Sequence, residues 1–156
     1  MLRKEREITD TKEIYKILCK SNTIRLGLHD EKYPYVVPIS FGLDLCQEKP
    51  VIYFHCAKRG MKVDLINKGC NICFESDIFY KVEKTEHGIT TRYESIIGFG
   101  QCVSVDSEEE IRHGLNLLTA HYGYNDYPLD RCKGLANVKI FKINIDKISG
   151  KRNLTI

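Results

Sequence analysis

No stretch of this chain approaches the roughly 18 consecutive apolar residues that a membrane-spanning helix needs. That excludes an α-helical membrane protein. Repeats, linkers and low-complexity tracts are missing too, which leaves no solenoid and no tethered array. The glycine spacings of a Walker loop and of a dinucleotide fingerprint do not occur. Net charge is only +3, too mild an excess to point to a nucleic-acid partner. The opening "MLRKEREITD" carries charge from residue 3 and has no apolar h-region, so it does not read as a signal peptide and the expected location is cytoplasmic.

What is present suits one globular domain over residues 1–156. Hydrophobic residues make up 42% and charged residues 29%, enough for a real core. Seven cysteines, an odd number, argue in an unexported chain for reduced thiols rather than a disulfide framework. Charge is unevenly spread. Between Arg131 and Ile156 seven Lys or Arg face a single acid, Asp146, which fits either a solvated strand face or a tail near an anion.

Hydrophobic spacing gives the element order. Asp10 caps a helix over 11–20, with Ile14, Ile17 and Leu18 on one side. Residues 23–29 alternate Ile24, Leu26 and Leu28 as a strand does. The run 33–44 is β-branched and aromatic, and its Pro38 marks an edge or bulged strand. Further strands are expected over 51–57, 71–77, 92–106 and 136–150, the last with imperfect alternation. A helix is expected over 60–68, and a second begins at the S-x-x-E capping box of Ser107 and Glu110 and stops at Gly123. Gly98 and Gly100 inside 92–106 suggest a bend or a close approach. Mostly antiparallel strands with few helices point to an α+β, mainly β protein built on a small barrel.

The chemistry concentrates in "YFHCAKRGMKVDLINKGCNICFESD", Tyr53 to Asp77. Cys70-x-x-Cys73 has the spacing of half a zinc site. The other half would need His55 and Cys56, whose side chains leave a strand on opposite faces, so no metal is expected. A redox dithiol would sit at a helix start, whereas this pair follows a helix. A phosphate fits better. A strand ends near His55, the loop carries Lys58, Arg59 and Gly60, and a helix opens at Met61 and Lys62, where free N–H groups and the dipole favour an anion. Cations at a helix N-terminus are otherwise unfavourable. A plain solvated helix entry stays open beside this reading. So does a structural role for His55, although an imidazole titrating near neutrality can hold a substrate or give it a proton.

The segments "YPYVVPISFG", "IYFHCAKRGMKVDLI", "CFESD", "YESIIGFGQ" and "ISGKRN" together resemble the pyridoxamine 5'-phosphate oxidase-like flavoproteins, and among them the nitroimidazole-resistance subgroup. The resemblance runs over about residues 1–153. It implies a six-stranded antiparallel split β-barrel with flanking helices, a homodimer, and FMN at the dimer interface. It assigns the phosphate to Arg59, Gly60, Met61 and Lys62, with Cys56 beside them. The isoalloxazine edge falls to Val37, Pro38, Ile39 and Ser40, and a contact from the long strand to Ser95. His55 becomes the catalytic residue near the flavin's reactive face, and Gly98 and Gly100 would leave room for a planar ring. Many relatives carry a basic residue where Met61 stands, so Arg59, Lys151 or Arg152 would substitute. An aromatic residue common after the final G-K-x-N is replaced here by Leu154.

The implied function is an FMN-dependent oxidoreductase acting on a small molecule, with nitroaromatic reduction as one candidate. The alternatives are a non-catalytic flavin- or haem-binding protein and a pyridoxamine-phosphate oxidase proper. The three tyrosines of 121–128 fit either a packed loop or a lid over a partner's flavin.

Overall fold

A computed structural model describes residues 3–154. Its elements run β1 (Glu7–Ile8), α1 (Thr11–Lys20), β2 (Ile24–Leu28), β3 (Tyr35–Ile39), β4 (Gly42–Asp44), β5 (Val51–Ala57), α2 (Met61–Lys68), β6 (Asn71–Thr85), β7 (Gly88–Val105), α3 (Glu108–His121) and β8 (Val138–Asn153). The architecture is α+β and mainly β. The six longer strands β2, β3, β5, β6, β7 and β8 carry the expected barrel frame, and β1 and β4 are short additions of two and three residues.

All pairings are antiparallel, in the order β3-β2-β6-β7-β8-β5-β4, with β1 beside β8. The two ends of that path, β3 and β4, are consecutive in sequence. Ile39 and Gly42 are three residues apart, so an extended chain keeps them within about 11 Å. Laid flat, six gaps of about 4.8 Å would separate the same ends by roughly 29 Å. The sheet therefore has to curl into a barrel, with a break where the chain crosses at Ser40 and Phe41.

Side chains lock that crossing. Phe41 is fully buried, its ring centroid 4.4 Å from that of His121 at the end of α3. The Tyr122 hydroxyl accepts from the Phe41 N–H at 3.2 Å and donates to the Asn22 carbonyl at 2.7 Å. His121 Nε2 donates to the Ser21 carbonyl at 2.7 Å. α3 rests directly on Gly42, where a Cβ would come within 2.4 Å of the Leu118 nitrogen. Tyr122 of the tyrosine-rich segment is thus a fastener, while Tyr124 and Tyr127 are exposed.

Local signals account for most element boundaries. Asp10 accepts from the Lys12 N–H at 2.8 Å, and Ser107 from the Glu110 N–H at 3.2 Å. The capping box is only half formed, however. The Glu110 carboxylate turns to the Tyr53 hydroxyl at 3.0 Å and the Lys142 ammonium at 2.6 Å, because α3 docks on β5 and β8. The main core gathers Ile24, Leu26, Phe54, Phe74, Phe141 and Ile143 inside the barrel, with α1 and α2 packed onto it. A second cluster beneath α3 holds Tyr53, Val105, Leu115, Leu129 and Ile140. β8 alternates imperfectly because it is covered on both faces: Phe141 and Ile143 face the barrel, Ile140 faces α3.

Four sequence expectations change. The single strand over 33–44 breaks at Ser40 and Phe41, since its halves pair with β2 and β5. The strand over 71–77 continues to Thr85, and that over 92–106 begins at Gly88, as residues 79–93 pair with each other in a largely exposed arm. Gly98 is not kept for an external ring. It faces the core, where a Cβ would lie 2.1 Å from Phe74 Cζ. Gly100 sits at the register shift opposite β8, 2.2 Å from the Asn144 carbonyl oxygen by the same measure.

Among the described residues no helix is long and apolar enough to cross a membrane. The packing at Gly98 is open to a direct check. Gly98→Ala should destabilise the protein by about 1–3 kcal/mol, the usual cost of overpacking a full core. The penalty should shrink in a Phe74→Leu background, because the two sites share one contact. Urea unfolding of the four proteins measures both; equal penalties in the two backgrounds would contradict the contact.

Candidate functional site

β5 is covered unequally along its length. β8 pairs with it from Val51 to Ala57, but β4 only from Val51 to Tyr53. Among the described residues the other edge of β5, from Phe54 to Ala57, has no strand beside it, because the chain leaves at Phe41 to join β2. This is the split in the barrel. One lip carries Ser40 and the end of β3; the other carries His55, Cys56 and the loop into α2. Strand alternation points Ile52, Phe54 and Cys56 inward, and Tyr53 and His55 outward.

On the first lip, Val37 and Ile39 turn their side chains into the core. Pro38 and Ser40 are exposed. A flat ligand would meet the backbone, the pyrrolidine and the hydroxyl here. β3 lies at the end of the sheet path, where a proline removes no ladder bond that a central strand would need.

On the second lip the loop ends at Gly60, with φ 132° and ψ 165°, a left-handed backbone that favours glycine. As the N-cap of α2, Gly60 has no side chain to accept from the first-turn N–H groups. A Ser or Asp cap would contribute about 1 kcal/mol. α2 forms without one because Val63, Leu65 and Ile66 are buried, and each such side chain contributes roughly 1.5–3 kcal/mol. Packing outweighs capping, and the helix mouth stays open. Arg59 and Met61 are exposed beside it, and Lys62 is half-buried.

Lys62 is not alone. The β5–β8 register sets Lys139 opposite Cys56, on the same face. Lys62 Nζ lies 5.7 Å from the Phe54 ring centroid, and Lys139 Nζ lies 5.3 Å from that of Phe141. Those two rings are stacked, 5.4 Å apart and 16° from parallel. Among the described residues neither ammonium reaches a carboxylate. Burial pushes the Cys56 thiol upward, and the Lys62 and Lys139 charges pull it back. His55 is displaced downward, by loss of water and by the Lys62 charge. The ring is exposed on one side, yet the direction holds, since Coulomb repulsion needs no burial.

Ser95 lies elsewhere. It pairs with Lys151 on β8, whereas His55 pairs with Ile140. Those partners are 11 residues apart (151 − 140), about 36 Å along the strand. One protomer therefore does not bring Ser95 to His55. Arg152 is occupied by Glu13 at 3.2 Å and Glu94 at 3.9 Å, and Lys151 stands over Tyr93. Cys70 is exposed where α2 ends, and its carbonyl accepts from the Cys102 N–H at 2.7 Å. Among the described residues no group of three or more His, Cys, Asp or Glu side chains is arranged to hold a metal.

Two cavities of about 520 Å³ are present. One is lined by His29, Leu65, Lys68 and Cys70, away from the split. The other is lined by Lys58, Asp106, Ile111, Val138 and also Lys139, so it adjoins the lip on the α3 side. Neither includes His55 or Lys62. The split is a groove open to one side, so volume is a poor guide to it, and the converging cations are the better one.

The family described as pyridoxamine 5'-phosphate oxidase matches residues 10–152. The chain belongs to that family. No curated protein matches it by sequence. Among solved structures it is similar to a candidate 5-nitroimidazole antibiotic resistance protein from Bacteroides thetaiotaomicron VPI-5482. Identity is 26% and the TM-score 0.81, over 93% of this chain and 85% of the other. A flavocytochrome from Azotobacter vinelandii shares 15% identity at TM-score 0.80, over 97% and 71%. An FAD-binding protein from Mesorhizobium loti shares 18% at 0.68, over 96% and 98%. The last two likenesses speak for the fold.

Within the oxidase frame, the group that sequence reading missed is Lys139. Its signal is the register that pairs it with Cys56, and register across 80 residues is not written in either strand.

The electrostatics of this lip have a sign. With its folded pKa below 6.5, His55 takes up a proton later than it would in the unfolded chain. Its contribution to stability is present above pH 6.5 and lost as pH falls through the folded midpoint. An NMR titration of the ligand-free protein should give a His55 midpoint below 6.5, moving up in Lys62→Met. A midpoint at or above 6.5 would remove the Lys62 charge from beside the ring.

Proposed function

We propose that the chain is a cytoplasmic, homodimeric flavoprotein that binds FMN and transfers electrons between it and a small molecule. The observation that carries this reading is the pair of lysines Lys62 and Lys139, which reach no carboxylate among the described residues, at a helix mouth that packing leaves uncapped. A phosphate monoester carries about −1.5 to −2 charge at pH 7 and fits that donor set. FMN ends in such a group and joins it to a planar ring long enough to reach along the split. Family membership and the flavin-binding neighbours support the same cofactor class.

In this reading Arg59, Gly60, Met61 and Lys62 hold the phosphate end, through backbone N–H groups at Met61 and through charge at Arg59 and Lys62. Cys56 lines the inner wall. Val37, Pro38, Ile39 and Ser40 edge the ring, chiefly through backbone, Pro38 and Ser40. His55 is the catalytic residue. Held neutral near pH 7, it orients a substrate by a hydrogen bond and gives up or takes a proton only as that bond allows. Bound FMN would supply the hydride and electron transfer, and the protein supplies position and field.

The second copy follows from distance. Ser95 and Lys151 lie too far from His55 to serve it within one chain, but they stand on a sheet face that no helix covers. That face exposes Val36, Phe79, Ile97 and Phe99, an apolar surface suited to a partner. Docked through it, a second chain would bring its own Ser95 towards the first chain's split. The substrate class is a nitroaromatic such as a 5-nitroimidazole, supported by the likeness to the Bacteroides protein. All seven cysteines are free, in keeping with a reducing compartment.

Titration of the purified protein with FMN should give about one flavin per chain. Affinity should weaken as pH falls through about 6, where the phosphate loses its second charge. A protein that takes up no FMN sinks the reading. His55→Ala should keep FMN and lose about 10²-fold or more in reduction of a 5-nitroimidazole; unchanged turnover would favour a carrier of flavin over an enzyme. Ile97→Asp should give a monomer by light scattering that also loses FMN.

A further inference from the structure

We infer that Lys139 is a second anchor for a phosphate at the split and makes the site selective for a ligand that ends in a phosphate monoester. The inference rests on the flavin reading above and adds a residue to it that the family resemblance does not supply.

The placement follows from three constraints. The β5–β8 register fixes Lys139 across from Cys56, one residue beyond His55. The Phe54–Phe141 stack beneath is fully buried, so it forms a floor. Lys62 reaches that floor from α2 and Lys139 from β8, one over each ring. The register and the two ring contacts bring both side chains to the Cys56 end of β5, each over one of two stacked rings.

Two cations beside an apolar floor repel each other, and the floor keeps out much of the water that would screen them. The neighbouring lysine Lys142 is neutralised by an acid: it reaches Glu110 at 2.6 Å. Among the described residues Lys62 and Lys139 have no such partner. Cation–π contact with the floor favours each ammonium, and it does not cancel their mutual repulsion. A dianion between them does. A phosphodiester or an uncharged hydroxyl at that point answers only part of the charge, so the pair discriminates among flavins by their terminal group.

The test compares FMN with riboflavin, which has the same ring and no phosphate, by flavin fluorescence quenching with wild type, Lys139→Met and Lys139→Arg. Methionine keeps an apolar stem over Phe141, and arginine keeps the charge. Thermal melting checks that each variant is folded. Lys139→Met should bind FMN about 10-fold or more weakly with riboflavin unchanged, and Lys139→Arg should recover most of the loss. Unchanged FMN affinity in Lys139→Met overturns the assignment and leaves the flavin reading standing. Equal losses for FMN and riboflavin overturn it too, since the residue would then support the floor and not the phosphate. Wild type binding neither flavin overturns the flavin reading itself.

Discussion

The short crossing at Ser40 and Phe41 governs this molecule. Because β3 and β4 are consecutive in sequence yet lie at opposite ends of the sheet path, the sheet has no flat solution. The crossing is held by a few contacts: the buried Phe41 ring against His121, and the Tyr122 hydroxyl that serves both Phe41 and Asn22. Closing the barrel this way strips the end of β5 of one neighbour. The opening is thus a consequence of topology, and the functional lip is where topology leaves backbone and side chains free.

Electrostatics then define what the opening can receive. Some cations elsewhere are matched, Arg25 with Glu75 and Asp77, Arg92 with Glu83, Arg112 with Asp130, Lys142 with Glu110, and such exposed pairs contribute little to stability. The lip is set apart by what its two lysines share. Lys62 and Lys139 share aromatic floor and a thiol, and α2 adds the positive end of its dipole to them. Holding like charges together is a local cost, offset by burial of Val63, Leu65 and Ile66 beneath the helix. Such departures from local consistency are where binding sites are to be expected.

Much of the fold was legible from residue patterns. Asp10 and Ser107 cap the helices they were expected to cap, Ile24, Leu26 and Leu28 face inward, and Pro38 lies on an edge strand. The misreadings have one cause. Strand limits over 71–77 and 92–106 were drawn too short, because the largely exposed residues 79–93 pair as an arm in which two strands joined by a tight turn satisfy each other's backbone. The glycines at 98 and 100 announced close approach without naming the partner, which proved to be Phe74 and the β8 backbone. At the candidate site, the cationic loop and helix start from Arg59 to Lys62 were readable because their signals are contiguous. Lys139 was not, because its role depends on a strand 80 residues away.

The sequence by itself determined the helix starts, the barrel class and a cationic helix entry, since each follows from spacing or composition within a few residues. Only the tertiary structure decided which side chains share a space. It alone set Lys139 beside Cys56, parted Ser95 from His55 by the length of β8, and turned Val37 and Ile39 inward. The physical reason is that pairing register and barrel closure are settled by packing among distant segments, which no local pattern encodes.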